Sequence, residues 1–131
     1  MKINLITPPD ILHNDSYQLL VLYPGKELQK QLQYDFLGKI EHSVNLYYYD
    51  KPEYNKEDID WVLNAFNIAD LVLIDVDNCE PHAKDLLSYL IAKPKTFWLT
   101  NSQQSVYNHI SKNKVYNLDF LQNLGGNLEK K

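Results

Sequence analysis

The segment Asp75-Val76-Asp77-Asn78-Cys79-Glu80, with His82 and Asp85 just beyond it, is the densest run of chemically able side chains in this sequence. Asp75 and Asp77 offer two hard carboxylate donors of the kind that Mg²⁺ takes with water completing its shell. The plainer alternative has one of them capping the following helix and the other solvated, and on that reading no metal site is expected. Asp85 falls on an early turn of the helix behind this loop. A carboxylate there can point into a cleft, feel neighbouring acids and act as nucleophile or base; its plainer role is an exposed residue favoured by the helix dipole. Cys79 with His82 has the composition of a thiolate-imidazole pair. The surrounding acids would raise the thiol pKa, however, and a lone cysteine more often packs as a small apolar side chain. His13, His42 and His109 lack metal-ligand spacing.

Apolar runs alternating with helical patterns must hold these groups. Residues 17–23, Tyr-Gln-Leu-Leu-Val-Leu-Tyr, predict a buried strand stopped by Pro24-Gly25, and Leu28, Leu32, Phe36 and Ile40 at four-residue spacing predict a helix over 26–40. A second strand is expected at 44–49. The following helix has Asn55 as N-cap, Glu57 and Asp58 in its first turn, and a stripe of Ile59, Val62, Leu63 and Phe66. Leu71-Val72-Leu73-Ile74 is apolar on both faces, as a central parallel strand covered by helices must be. Pro81 suits the first turn of the next helix, whose Leu86, Leu87, Leu90 and Ile91 face inward and which Lys93-Pro94 ends. Thr96-Phe97-Trp98-Leu99 is the fourth strand. Ser102 caps a short helix carrying Val106 and Ile110, residues 115–117 form an edge strand, and 118–124 form a final turn closed by Gly125-Gly126 before a polar tail at 125–131. Residues 2–6 are either an added edge strand, with 8–16 as a loop over the sheet, or an arm.

This order of elements predicts one α/β domain over residues 1–131, a flavodoxin-like three-layer sandwich with a parallel sheet of about five strands. Ligands of such sheets bind outside the carboxyl ends of the strands, at the point where strand order reverses. That rule selects Tyr23 and Gly25, the loop at 50–55, Asp75, Asp77 and Asn78, and Thr100 and Asn101 as ligand-binding candidates, with Asp85 as the catalytic candidate. The tyrosines at 47–49 could stack a base, although alternation along a strand would bury at least one of them.

The segment from Ile68 to Thr100 resembles the nucleoside 2-deoxyribosyltransferase-like group. Ala69-Asp70 precedes the central strand, and a helix ending Ser88-Tyr89-Leu90-Ile91-Ala92 runs into Lys93-Pro94. In that group a glutamate on this helix takes the deoxyribosyl moiety from one base before delivering it to another. Asp85 lies nearest that position, and aspartate in place of glutamate implies little or no turnover. Asp70 to Asp75 and Thr100 are also similar to the receiver domain of response regulators, which implies a protein-contact module of pseudo-receiver type. Asp75-Val76-Asp77 with Thr100-Asn101 further resembles haloacid-dehalogenase-type phosphatases.

Composition narrows the classes. All thirteen basic residues are lysine, the formal net charge is −4, and the chain is 44% hydrophobic and 23% charged. Without arginine forks, and with net negative charge, a duplex nucleic-acid surface is disfavoured. No apolar run approaches the length of a membrane span. The start of the chain does not have the layout of a signal peptide, and Cys79 alone can form no intrachain disulfide. A cytoplasmic product is expected, and the Asn, Lys, Tyr and Ile richness suggests an AT-rich genome, viral genomes included, in which case the location is the host cytoplasm. The resemblance of residues 68–100 to the nucleoside 2-deoxyribosyltransferase-like group implies a domain that binds a nucleoside or nucleotide at the carboxyl edge of its sheet, without a cofactor. The alternative is a non-catalytic module, such as a viral accessory or virion protein, that binds a protein partner or another copy of itself.

Overall fold

The computed structural model describes residues 3–6, 10–12, 15–36, 43–102 and 105–116. Six parallel strands form one sheet: β1 (Ile3–Ile6), β2 (Tyr17–Leu22), β3 (Val44–Tyr49), β4 (Leu71–Asp75), β5 (Thr96–Leu99) and β6 (Lys114–Val115), in the spatial order β1-β3-β2-β4-β5-β6. Helix α1 (Lys26–Lys30) runs on into a π-helical turn, Gln31–Phe36; α2 spans Lys56–Ile68 and α3 spans Val76–Leu90. The flavodoxin-like architecture is therefore present, with an extra strand added outside β3, making six strands where about five were expected.

Strand alternation divides the core into two layers. Leu20, Leu22, Tyr47, Tyr49, Val72, Ile74 and Trp98 pack with Trp61, Val62 and Ala65 of α2 and Leu86, Leu87 and Leu90 of α3. Leu19, Val21, Val44, Leu46, Leu71 and Leu73 point the other way, onto Leu28 and Leu32. Each central strand is thus apolar on both faces because helices cover both. Truncating a fully buried leucine such as Leu73 would cost about 2–5 kcal/mol. The tyrosine run serves this core, since Tyr47 and Tyr49 are buried against Trp61 at ring-centroid distances of 6.3 and 5.9 Å.

A largely buried amide ladder ties β1 to β3 and sets its register. Asn4, Asn45 and Gln18 lie in register on β1, β3 and β2. Asn4 Nδ2 donates to Asn45 Oδ1 at 2.8 Å and Asn45 Nδ2 donates to Gln18 Oε1 at 3.2 Å. A slip of one residue would turn these amides toward the opposite face and strip them of partners, so the ladder selects the register. Residues 10–12 lie on the α2 side of the sheet, where the Asp10 carbonyl accepts from the Trp61 indole at 3.3 Å, and the Leu12 amide and carbonyl both bond the Tyr47 hydroxyl.

Helix α2 begins as expected. The Asn55 side chain accepts from the Asp58 amide at 2.9 Å, while Asp58 Oδ2 accepts from the Asn55 amide at 3.1 Å, a reciprocal cap worth about 1 kcal/mol. Two other helix starts differ from expectation. Strand β4 passes directly into α3 at Val76, so residues 76–80 are helical rather than a loop, and Pro81 lies inside the helix. Pro81 lacks the amide needed to continue the ladder, and the helix kinks at Ala83 (φ −142°, ψ 49°). The short helix near the end is a 3₁₀ turn, Val106–His109, capped by Ser105 and not Ser102; Tyr107 is its buried residue, while Val106 and Ile110 are exposed. Expectations for His13, His42, residues 37–40 and 117–131 lie outside the described residues.

Candidate functional site

Strand order reverses between β2, whose next strand in the chain lies on one side, and β4, which lies on the other. The segments that follow these two strands therefore diverge and leave a cleft. The cleft has a volume of about 340 Å³ and is lined by Gly25, Lys26, Glu27, Leu28 and Gln31 around α1, by Asp75, Asp77 and Asn78 where β4 enters α3, by Leu99 and Asn101 at the end of β5, and by Tyr116 beyond β6. The loops beyond β2 and β5, the start of α3 and the end of β6 converge here.

Two carboxylates tie those loops together. Asp75 occupies the N-cap position of α3 but makes no side-chain cap there. Its Oδ2 instead accepts the Gly25 amide at 3.0 Å, across the reversal. Gly25 permits this approach because a Cβ at that position would lie 2.9 Å from Asn78 Nδ2 and 3.3 Å from Asp75 Oδ2. Asp77, about half a helical turn along, reaches the opposite way. It accepts from the Thr100 hydroxyl and from the Asn101 amide at 2.7 Å. Thr100 in turn accepts from the Ser102 amide at 3.1 Å. Neither aspartate is simply a cap or simply solvated.

Burial raises the pKa of Asp75, and the charge of Asp77 adds to that, while the Gly25 hydrogen bond opposes it. A carboxyl pushed toward its neutral form at a strand-end cleft is a recognised mark of a functional site. Among the described lining residues Asp75, Asp77 and Glu27 are acidic and Lys26 is the cation. Among the described residues no group of three or more His, Cys, Asp or Glu side chains is arranged to hold a metal ion.

Of the sequence-derived ligand residues, Gly25, Asp75, Asp77, Asn78 and Asn101 share this lining. Thr100 contributes by fixing Asp77. Tyr23 is 3% exposed and turns away: its hydroxyl donates to the Lys51 carbonyl at 2.6 Å, and its ring packs on Tyr49 and His82. Its backbone takes φ 53°, a left-handed conformation costly for an aromatic residue and concentrated near functional turns. Asp85 is not brought to this cleft. It lines a second depression of about 360 Å³ between α2 and α3, with Tyr54, Ile59, Leu63, Leu86 and Tyr89, and among the described residues the two depressions share no lining residue. Cys79 is fully buried, where desolvation pushes its thiol up to about 12, and its Sγ faces the Ala83 carbonyl at 3.8 Å, while the His82 ring stacks on Tyr23.

Glu27, Leu28, Gln31, Leu99 and Tyr116 also line the cleft but were not singled out as ligand candidates from the sequence. The helix that follows a switch-point strand starts beside the cleft, a signal that could have marked Glu27 and Gln31. Tyr116 carried no such signal, because its place depends on the pairing of β6 with β5. No helix among the described residues is long and apolar enough to cross a membrane. Neither a protein-family model nor a curated protein matches this chain.

Proposed function

We propose that the switch-point cleft binds a nucleoside, with little or no turnover. The observation that carries this reading is the use of the Gly25 amide by Asp75 inside a lining with three carboxylates and one lysine. A phosphate would seek free backbone amides and positive charge. Here the amide is taken by a carboxylate and the surrounding charge is negative, so nucleotide binding is disfavoured. A ligand rich in hydroxyl and amino donors suits such acceptors, while Asn78 and Asn101 can both donate and accept. Tyr116, 84% exposed at the rim, offers a face on which a base can stack. The resemblance of residues 68–100 to the nucleoside 2-deoxyribosyltransferase-like group favours the same ligand class. The separation of Asp85 from the cleft favours binding over base exchange.

Titration calorimetry with a 2′-deoxynucleoside and its 5′-monophosphate tests the reading. Saturable heat from the nucleoside with weaker binding of the monophosphate supports it; tighter monophosphate binding contradicts it. A second reading, a protein-interaction module, draws support from the exposure of Val106, Ile110 and Tyr116 in one stretch of chain. Sedimentation of the protein alone and with candidate partners tests that alternative.

A further inference from the structure

The α2/α3 depression is chemically unlike the switch-point cleft. Ile59 and Leu63 of α2 and Leu86 of α3 give it apolar walls, Tyr54 and Tyr89 add two rings, and Asp85 is the single charge among its described lining residues. Ile59 and Leu63 are one helical turn apart, as are Asp85 and Tyr89, so each helix presents a continuous face to the groove. Among the described residues Asp85 has no ion-pair partner. The Tyr89 ring already holds a cation, the Lys93 ammonium at 4.6 Å from its centroid.

We propose that this groove is a binding site for a small amphiphilic organic cation, an arylalkyl ammonium, whose apolar part lies on Ile59, Leu63 and Leu86 and whose ammonium faces Asp85. The charge argument decides the class. Any ligand that fills the groove removes water from the Asp85 carboxylate, and an uncharged ligand leaves that charge desolvated and unpaired. An anion adds repulsion. A cation restores the lost interaction, while the Lys93 ammonium already covers a face of the Tyr89 ring. Size decides against a protein surface as the occupant: about 360 Å³ bounded by six residues is in the range of small-ligand sites, whereas a protein interface engages roughly 20–30 residues a side.

Amide NMR titration of the full chain with phenethylammonium, 2-phenylethanol and phenylacetate tests this. Saturating shifts at Ile59, Leu63, Leu86 and Tyr89 are expected with the ammonium, about three- to fivefold weaker binding of the alcohol, and none of the acid. Asp85→Asn, at an exposed position where folding should survive, should bring the ammonium and the alcohol to equal affinity. Equal affinities in the unmutated protein, or no shifts at these residues with the ammonium, would overturn the assignment. Shifts of these amides with protein concentration alone would also overturn it, assigning the face to self-association.

Discussion

Asp75 Oδ2 and the Gly25 amide lie 3.0 Å apart across the reversal of strand order, joining the ends of β2 and β4. This contact closes the floor of the cleft with a carboxylate where related architectures leave backbone amides for phosphate. It makes Gly25 a position where size matters more for the site than for the fold.

Gly25→Ala should therefore weaken ligand binding more than stability. The nearest obstacle to a Cβ, Asn78 Nδ2 at 2.9 Å, is the end of a side chain that can rotate away. The expected loss of stability is under about 1 kcal/mol, while displacement of Asn78 should lower nucleoside affinity by about tenfold. Chemical denaturation and calorimetry on the same sample measure both. A large loss of stability with intact affinity would contradict this division.

Asp75→Asn should flatten one part of the stability profile. Because the folded state raises the pKa of Asp75, it binds this proton more tightly than the unfolded chain. Stability then falls as pH rises from the ordinary aspartate value to the raised one, and is level above it. Asp58 acts in the opposite sense. The hydrogen bond from Lys51 holds its pKa low, so its contribution is present above the ordinary value and lost as pH falls through the lowered one. Subtracting the profile of Asp75→Asn from that of the parent isolates Asp75. Asparagine can still accept from Gly25, so the variant should melt no lower than the parent at pH 7; a lower melting temperature there would contradict the assignment.

Cys79 should be chemically silent in the folded protein. With its thiol buried and its pKa pushed up to about 12, alkylation at pH 8 should require unfolding. Iodoacetamide labelling followed by mass spectrometry, with and without denaturant, checks this. Rapid labelling of the native protein would mean that the α3 kink opens readily.

Asp85→Asn should leave nucleoside affinity within about twofold of the parent, because Asp85 and the switch-point carboxylates line separate depressions. Parallel calorimetric titrations compare the two proteins. A loss approaching tenfold would place Asp85 in the nucleoside site after all.

The strands β2 to β5 and the Asn55 cap were legible in the sequence because each is written locally, in doubly apolar runs or in a capping pattern. The sequence left residues 2–6 open between an edge strand and an arm, since the choice depends on Asn4 meeting Asn45 and Gln18 from distant parts of the chain. The cleft residues at 25, 75, 77, 78 and 101 followed from strand ends alone. Asp85 did not follow, and the helix start explains why. A helix beginning near Pro81 would hold Asp85 in its early turns, whereas α3 begins at Val76, so Asp85 lies nine residues into it and beyond the kink at Ala83. Nothing at 76–80 forbids a loop, so only the fold distinguishes the two. Tyr23 misled for a related reason: its position at the strand end is right, but its left-handed backbone sends the ring inward.

Amide NMR titration with 2′-deoxyadenosine reports both whether the switch-point cleft binds a nucleoside and where it sits. Saturating shifts are expected at Gly25, Asp77, Asn78, Asn101 and Tyr116, with Ile59 and Leu86 unmoved. A silent spectrum, or shifts confined to the α2/α3 depression, would contradict nucleoside binding at this cleft.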